Sequence, residues 1–305
     1  MTALGKALFI VNPVSQNGRA AQAAAHIRYS AKKFPNLADS VEVYSTNAPF
    51  HAIELASQAA EYDSVVALGG DGVLHEVLTG LMKIPADQRP ALGLIPCGNG
   101  NDYARTIGMS TNLNKAFEQL SQAHVQYFDL GVCNGEYFAE TFSFGLDAAI
   151  AIGTHERRKR TGLSGTPLFI AEGLDHLKNR REIYHVTVSL DGAPAKECDL
   201  HMSAFQIGKT YGGGFKICPQ ADPHDGLLDI CMVHAPLGFT KATMIFAKAI
   251  DGRHLTHTKN LTFTRAKSVV LEFDEEPPAQ MDGELVRGSR FEISTLKQEL
   301  AVLVP

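Results

Sequence analysis

Over the first third of this chain, short and largely apolar runs alternate with stretches of helical periodicity. The runs at residues 7–11, 41–44, 64–68 and 91–95 read as strands of a parallel sheet, whose members are buried on both faces. Between them, residues 19–33, 49–60 and 73–82 place apolar side chains at intervals of three and four, so each predicts a helix laid on that sheet. The expected architecture is a doubly wound, mostly parallel α/β domain over residues 1–128.

Beyond residue 128 the pattern changes to period two, joined by turn dipeptides at Asn134-Gly135 and Asp191-Gly192. Tyr184, Val186, Val188 and Leu190 face one way, with His185, Thr187 and Ser189 facing the other, as on an antiparallel strand with one wet side. Similar runs at 201–207, 227–233, 268–273 and 290–294, with helices at 168–178 and 239–250, predict a mainly antiparallel β-sandwich over residues 129–295. The tail, about 296–305, is expected to pack back on the first domain, and the cleft between the domains is the expected active site.

The 305 residues carry a formal net charge of -5, so any contact with nucleic acid or an anionic bilayer needs a local basic patch, and no nucleic-acid partner is expected. Arg157, Arg158, Lys159 and Arg160 form one such run, and Lys178, Arg180 and Arg181 follow. Together they read either as a solvated helix face or as a membrane-facing surface. The five cysteines, Cys97, Cys133, Cys198, Cys218 and Cys231, lack zinc-site spacing and fit a reducing cytosol. The first apolar run is cut off by Asn12-Pro13, too early for a secretory signal. The best candidate for a membrane span, residues 138–152, is interrupted by Glu140 and Asp147. His254 and His257 have helical spacing but no carboxylate or cysteine partner and read as surface residues. Gly212-Gly213-Gly214 reads equally as a close backbone approach or a bulge. Asn260-Leu261-Thr262 matches a glycosylation acceptor, with nothing else pointing to secretion. An exposed edge of the second domain is the expected place for a homodimer to pair.

The chemistry concentrates in two turns. Gly69-Gly70-Asp71-Gly72 follows a predicted strand and opens a helix; its glycines let N–H groups approach a phosphate, and the helix N-terminus favours anions. An aspartate there would repel phosphate unless a divalent cation sat between them, although the same tetrapeptide also serves strand-to-helix geometry alone. Pro96-Cys97-Gly98-Asn99-Gly100-Asn101-Asp102 ends the strand at 91–95, or else caps a helix at 103–107. Ligands of open α/β sheets lie beyond the carboxyl ends of the strands, so two such turns would line one crevice. Neither GxxxxGK[ST] nor GxGxxG is present, because His75, Tyr103 and Ile217 stand where the last glycine of the latter would be.

These turns, with Asn12-Pro13 before them and Asp129-Leu130-Gly131, Asp225-Gly226-Leu227-Leu228-Asp229 and Met281-Asp282-Gly283-Glu284 following in order, resemble the diacylglycerol kinase catalytic family. That group takes in bacterial soluble diacylglycerol kinases, related bacterial lipid kinases, and sphingosine and ceramide kinases. The resemblance spans nearly the whole chain. It implies an ATP- and Mg-dependent kinase of a lipid hydroxyl, diacylglycerol foremost, working from the cytoplasm with transient membrane contact. By the same resemblance Asn12, Pro13, Val14, Ser15 and Gln16 form the first nucleotide loop, and Thr46 approaches the nucleotide. Gly69, Gly70, Asp71, Gly72, Val73, Leu74, His75 and Glu76 wrap the phosphates, with Asp71 directed to the catalytic Mg. Gly98, Asn99, Gly100 and Asn101 line the same site, Asp102 is its second carboxylate, and Glu284 is the general base. A structural Mg would be held by the Asp225 side chain and by the carbonyls of Asp222 and Leu227.

The chemistry of phosphoryl transfer agrees on Glu284, since a carboxylate must take the proton of the attacking hydroxyl. Asp-Gly is also the commonest hairpin signal, which would leave Glu284 a solvent-facing turn residue. Three positions depart from the resemblance: Val73 where threonine is common, His75 where asparagine is frequent, and Asn99 where bacterial kinases often carry threonine. Two other readings stay open, an NAD kinase-like enzyme acting on a soluble substrate and a catalytically silent nucleotide- or lipid-binding regulator. The motifs leave the acceptor lipid unassigned, because cleft shape selects it.

Overall fold

The computed structural model describes residues 2–13, 15, 19–163, 165–179 and 182–305, so Val14, Gln16, Arg180 and Arg181 lie outside the described residues. The elements in chain order are β1 (Lys6–Val11), α1 (Arg19–Lys33), β2 (Ser40–Ser45), α2 (His51–Ser57), β3 (Ser64–Gly69), α3 (Asp71–Leu81), β4 (Ala91–Pro96), α4 (Asp102–Thr106), α5 (Leu113–Leu120) and β5 (His124–Cys133). They continue with β6 (Glu136–Phe138), β7 (Thr141–Gly145), α6 (Leu146–Thr161), α7 (Thr166–Asn179), β8 (Tyr184–Leu190), β9 (Lys196–Gln206), β10 (Leu228–His234) and α8 (Phe239–Ala249). The last strands are β11 (Leu261–Ala266), β12 (Ser268–Phe273), β13 (Ala279–Met281), β14 (Glu284–Val286) and β15 (Arg290–Val304). The chain divides into two compact units, Met1–Phe128 with Gln298–Pro305, and Asp129–Lys297.

In the first unit β2, β1, β3 and β4 lie side by side, every pair parallel. The end of β15 adds on beyond β4, pairing Val302 with Leu92. All six residues of β3 and of β4 are buried, which is why they carry almost no polar side chain. α2 and α3 approach so closely that a Cβ on Gly80 would lie 2.5 Å from Ile53 O. Because all the strands run the same way, their carboxyl ends, and the turns that follow, gather at one edge of the sheet.

The second unit is antiparallel, with β7 flanked by β13 and β9, β9 by β8 and β10, and β12 by β8 and β15. Its core is aromatic: Phe138, Phe142, Phe144, Phe205 and Phe291 are fully buried. The Phe142 ring lies 5.0 Å from Phe291, and Phe144 lies 4.7 Å from Phe273. β8 buries Val186 and Val188 on one face and leaves His185 exposed on the other. This is the sandwich that the alternation predicts.

Several expectations need correction. α6 has no counterpart in the reading above; the apolar run at 138–152 turns at Gly145, whose φ of 90 only glycine adopts readily, and continues as this helix. His254 is not a surface residue: it is 2% exposed, its Nε2 meets Ile217 O at 3.0 Å, and burial pushes its pKa below the ordinary value. Gly212, Gly213 and Gly214, with φ of 66, 80 and 105, are the tip of a tight reversal whose ends, Tyr211 and Phe215, exchange two backbone hydrogen bonds. In the basic run, Arg157 is paired with Glu172 and lies 3.4 Å from Asp175, whereas Arg158, Lys159 and Arg160 are exposed, Lys159 beside an equally exposed Glu156.

Candidate active site

The site of the first unit is built at the carboxyl edge of its sheet. Asn12 follows β1 and donates its N–H to Leu68 O, while Thr46 follows β2 and donates its own to Val11 O at 2.8 Å. Gly69 ends β3 and its carbonyl receives the Cys97 N–H at the end of β4, at 2.6 Å. The two glycine turns therefore start from hydrogen-bonded neighbours. They then press together, since a Cβ on Gly70 would stand 2.9 Å from Gly98 Cα. A side chain at Gly69 would in turn lie 3.2 Å from Ser15 Oγ.

Asp71 is the first residue of α3, two positions earlier than the periodicity places that helix. Its carboxylate reaches across to the second turn, where Oδ2 accepts the Asn101 N–H at 2.8 Å and Oδ1 accepts the Asp102 N–H at 3.2 Å. Asn101 adopts a left-handed conformation and does not cap α4; its side chain closes the turn on itself, accepting from Gly98 N and donating to Gly98 O. Arg105 holds the same loop, donating to Gly100 O at 2.5 Å and to Asp102 Oδ1 at 3.0 Å. Asp102 itself is buried, at 7% exposure. These grips depend on tertiary contacts. The only local sign of them is the density of Asn and Gly in the second turn.

The point where a Cβ would project from Gly100 lies 2.5 Å from Asp71 Oδ2 and 3.1 Å from Asp102 Oδ2. Two hard carboxylate oxygens thus converge on the Gly100 backbone, where a side chain would collide with them. That donor set fits magnesium, which commonly takes one or two carboxylates and completes its shell with water and phosphate oxygens. Among the described residues no three His, Cys, Asp or Glu side chains cluster as a full metal cage, so phosphate would have to supply part of the shell. The first-turn N–H groups of α3 and the backbone N–H of Asn99 are the donors that face a phosphate here, the Gly98 N–H being taken by the Asn101 side chain. Val73 and Leu74 turn into the core, at 5% and 3% exposure, so they present backbone and not side chain to a ligand. Glu76 accepts the Ala52 N–H and thereby secures the start of α2. His75 is half-buried.

In the second unit, Glu284 opens β14 and is exposed. It follows a two-residue turn whose members, Asp282 and Gly283, have φ of 49 and 94, the paired positive angles that such a hairpin requires. That turn is pinned. Asp282 accepts N–H groups from Ala139, Glu140 and Thr141 at 2.7, 2.9 and 3.1 Å. Gln280, 1% exposed, accepts the Gly283 N–H and donates to Ser143 Oγ, both at 2.6 Å. A buried glutamine in a three-residue strand leaves no periodic signal, which is why sequence reasoning passes over it.

The Asp-Leu-Gly and Asp-Gly-Leu-Leu-Asp markers meet in the same unit, where Asp129 Oδ2 accepts the Gly226 N–H at 2.6 Å. Around Asp225 the donors are turned inward. Asp222 O receives the Asp225 N–H, Asp225 Oδ1 receives the Leu227 N–H at 3.0 Å, and Asp225 Oδ2 faces the Arg265 guanidinium at 3.6 Å. Arg265 also binds Asp229 Oδ1 at 3.0 Å. Both carboxylates of this pair thus face one guanidinium.

Two family models match the chain. The diacylglycerol kinase catalytic domain covers residues 6–133, and the YegS C-terminal NAD kinase beta sandwich-like domain covers residues 140–304. A diacylglycerol kinase of Mycobacterium tuberculosis is 32% identical over 311 residues, spanning 99% of this chain and 96% of that protein. A diacylglycerol kinase of Bacillus subtilis is 26% identical over 283 residues, spanning 92% and 91%. A crystal structure of a diacylglycerol kinase from Bacillus anthracis superposes with a TM-score of 0.77 at 22% identity, covering 100% of this chain and 98% of that one.

Proposed function

This chain belongs to the diacylglycerol kinase catalytic family, phosphotransferases with an alcohol group as acceptor, and we propose that it moves the γ-phosphoryl group of ATP onto a lipid hydroxyl with the help of magnesium. Diacylglycerol is the acceptor we assign, with phosphatidic acid as product, reached from the cytoplasm by transient contact with the membrane. The observation that carries the reading is the meeting of Asp71 Oδ2 and Asp102 Oδ2 beside Gly100, between two glycine turns whose N–H groups suit phosphate.

In this mechanism the N–H groups at the start of α3 donate to phosphate oxygens and orient the chain of phosphates. Asp71 and Asp102 would hold magnesium, which when bound spreads the charge of the transferred group. Asp71 is kept in place by the Asn101 and Asp102 N–H groups, so its carboxylate does not need reorganising as charge develops. Glu284 takes the proton of the acceptor hydroxyl as the new oxygen–phosphorus bond forms and the bond to the departing ADP breaks. Asp282 and Gln280 fix the turn that carries it.

The test is transfer from γ-labelled ATP to diacylglycerol and, separately, to NAD. Label appearing in phosphatidic acid and depending on magnesium is the expected result. Label in a dinucleotide product, or in neither acceptor, would sink the reading. Glu284→Gln is expected to lower kcat about 10²- to 10⁴-fold while leaving the thermal transition and ATP affinity in place; unchanged turnover in a folded variant would remove the general-base role.

A further inference from the structure

Helix α8 buries one side and presents an unusual other side. Ala242 and Ile245 are buried with Leu177, Leu237 and Leu261, Ala249 is buried in the cluster of Phe215 and Ile217, and the Phe246 ring lies 5.1 Å from Phe215. At about 100° per residue the opposite arc holds Phe239, Thr240, Thr243, Met244 and Ala247, continued by Ile250 just past the helix end. Phe239, Met244 and Ile250 are 45%, 41% and 38% exposed, so three large apolar side chains share one outward arc. A solvent-facing arc ordinarily carries charge, as α5 does with Lys115 and Glu118 exposed on its outer side. α8 carries none there.

Its charges lie along one margin of that arc and have a single sign. Lys241 is exposed, Lys248 is half-buried, and no acidic residue occurs within the helix. Lys248 Nζ lies 3.0 Å from His257 Nε2, and burial together with Lys248 and Lys241 pushes the His257 pKa below its ordinary value. The first acidic residue after the helix, Asp251, is paired with Arg253. An apolar arc bordered by lysines, with no carboxylate inside the helix, is complementary to a surface that is oily within and anionic at its boundary.

We propose that the outward face of α8 is where this chain lands on an anionic lipid bilayer. Phe239, Met244 and Ile250 enter the acyl boundary, and Lys241 and Lys248 lie against headgroup phosphates. The proposal builds on the lipid-kinase reading.

The experiment is co-sedimentation of the full chain with phosphatidylcholine vesicles, with and without phosphatidylglycerol, at low and high salt. The intact protein is expected to sediment with the anionic vesicles and to be released by salt. Combined Phe239→Ser, Met244→Ser and Ile250→Ser changes should cut binding at least about tenfold, and Lys241→Glu several-fold at low salt only. All four positions are solvent-exposed, so circular dichroism and the thermal transition should match the parent. Turnover of a short-chain diacylglycerol in detergent micelles, measured on the same samples, separates the two ideas. Variants that lose vesicle binding but keep micellar turnover support the face. Absence of micellar turnover in the parent as well condemns the kinase reading, while the vesicle result still stands by itself. The docking proposal is overturned if the parent ignores anionic vesicles, if the variants bind them as the parent does, or if light scattering shows a parent dimer that the apolar variants dissociate, which would make the face a contact between two copies.

Discussion

A methyl group on Gly100 would sit 2.5 Å from Asp71 Oδ2 and 3.1 Å from Asp102 Oδ2, in the space where the two carboxylates meet. Gly100→Ala is therefore expected to cost about 1–3 kcal/mol of stability by overpacking. It should also lower magnesium-dependent turnover about 10²-fold, since ångström-scale misplacement has that effect. Denaturation and steady-state kinetics on the same variant check both. Asp147 belongs to the residue scale too. Burial raises its carboxyl from 3.8 to about 6, against the opposing hydrogen bonds of Ser143 and Tyr211. The folded state thus holds this proton more tightly than the unfolded chain. Its contribution is complete below about pH 4 and is lost as pH rises through about 6, by up to about 3 kcal/mol. Asp147→Asn keeps a partner for the Tyr211 hydroxyl and should flatten the fall in Tm between those pH values; an unchanged slope would refute the assignment. In the sequence Asp147 is visible only as a charge interrupting an apolar run. Its burial depends on Tyr211, 64 positions away in the chain.

At the scale of elements, Gln280 shows how a strand of three residues controls the turn after it. Gln280→Leu keeps the bulk but leaves the Gly283 N–H and the Ser143 hydroxyl without this partner, so a loss of about 1–3 kcal/mol is expected. If the side chain also orients Glu284, kcat should fall while the KM for ATP stays constant. A drop in stability with unchanged kcat would leave it a purely structural residue. Legibility at this scale follows burial pattern. β3 and β4 are enclosed on both faces, so their composition alone reveals them. β8 betrays itself by alternation. α6 escapes because its first half, from Leu146 to Ile152, is apolar on all sides but for Asp147, and its second half is mostly polar and charged, so no stripe marks a buried face. β13 and β14, three residues each, are too short for any period to register. The two glycine turns are plain in the sequence because glycine and aspartate there answer to local backbone geometry. The grip of Asp71 on the second turn is not, because it joins residues about thirty apart.

For the molecule as a whole, the first unit takes its final strand from the far end of the sequence. Leu300, Val302, Leu303 and Val304 are buried in it, and Leu303 lies over Gly93. Deleting Gln298–Pro305 should leave one side of β4 unpaired, lower the unfolding temperature of this unit and promote aggregation through the bared edge. Calorimetry and light scattering check this, and a truncated chain that melts as the full one does would contradict it. There is a temporal corollary in a living cell. A ribosome works from the amino end, so both glycine turns are out of the tunnel long before the strand that finishes their sheet has been translated. Every residue of the second unit must be made first, and a prematurely terminated product carries the phosphate-binding turns on a scaffold still lacking its last member.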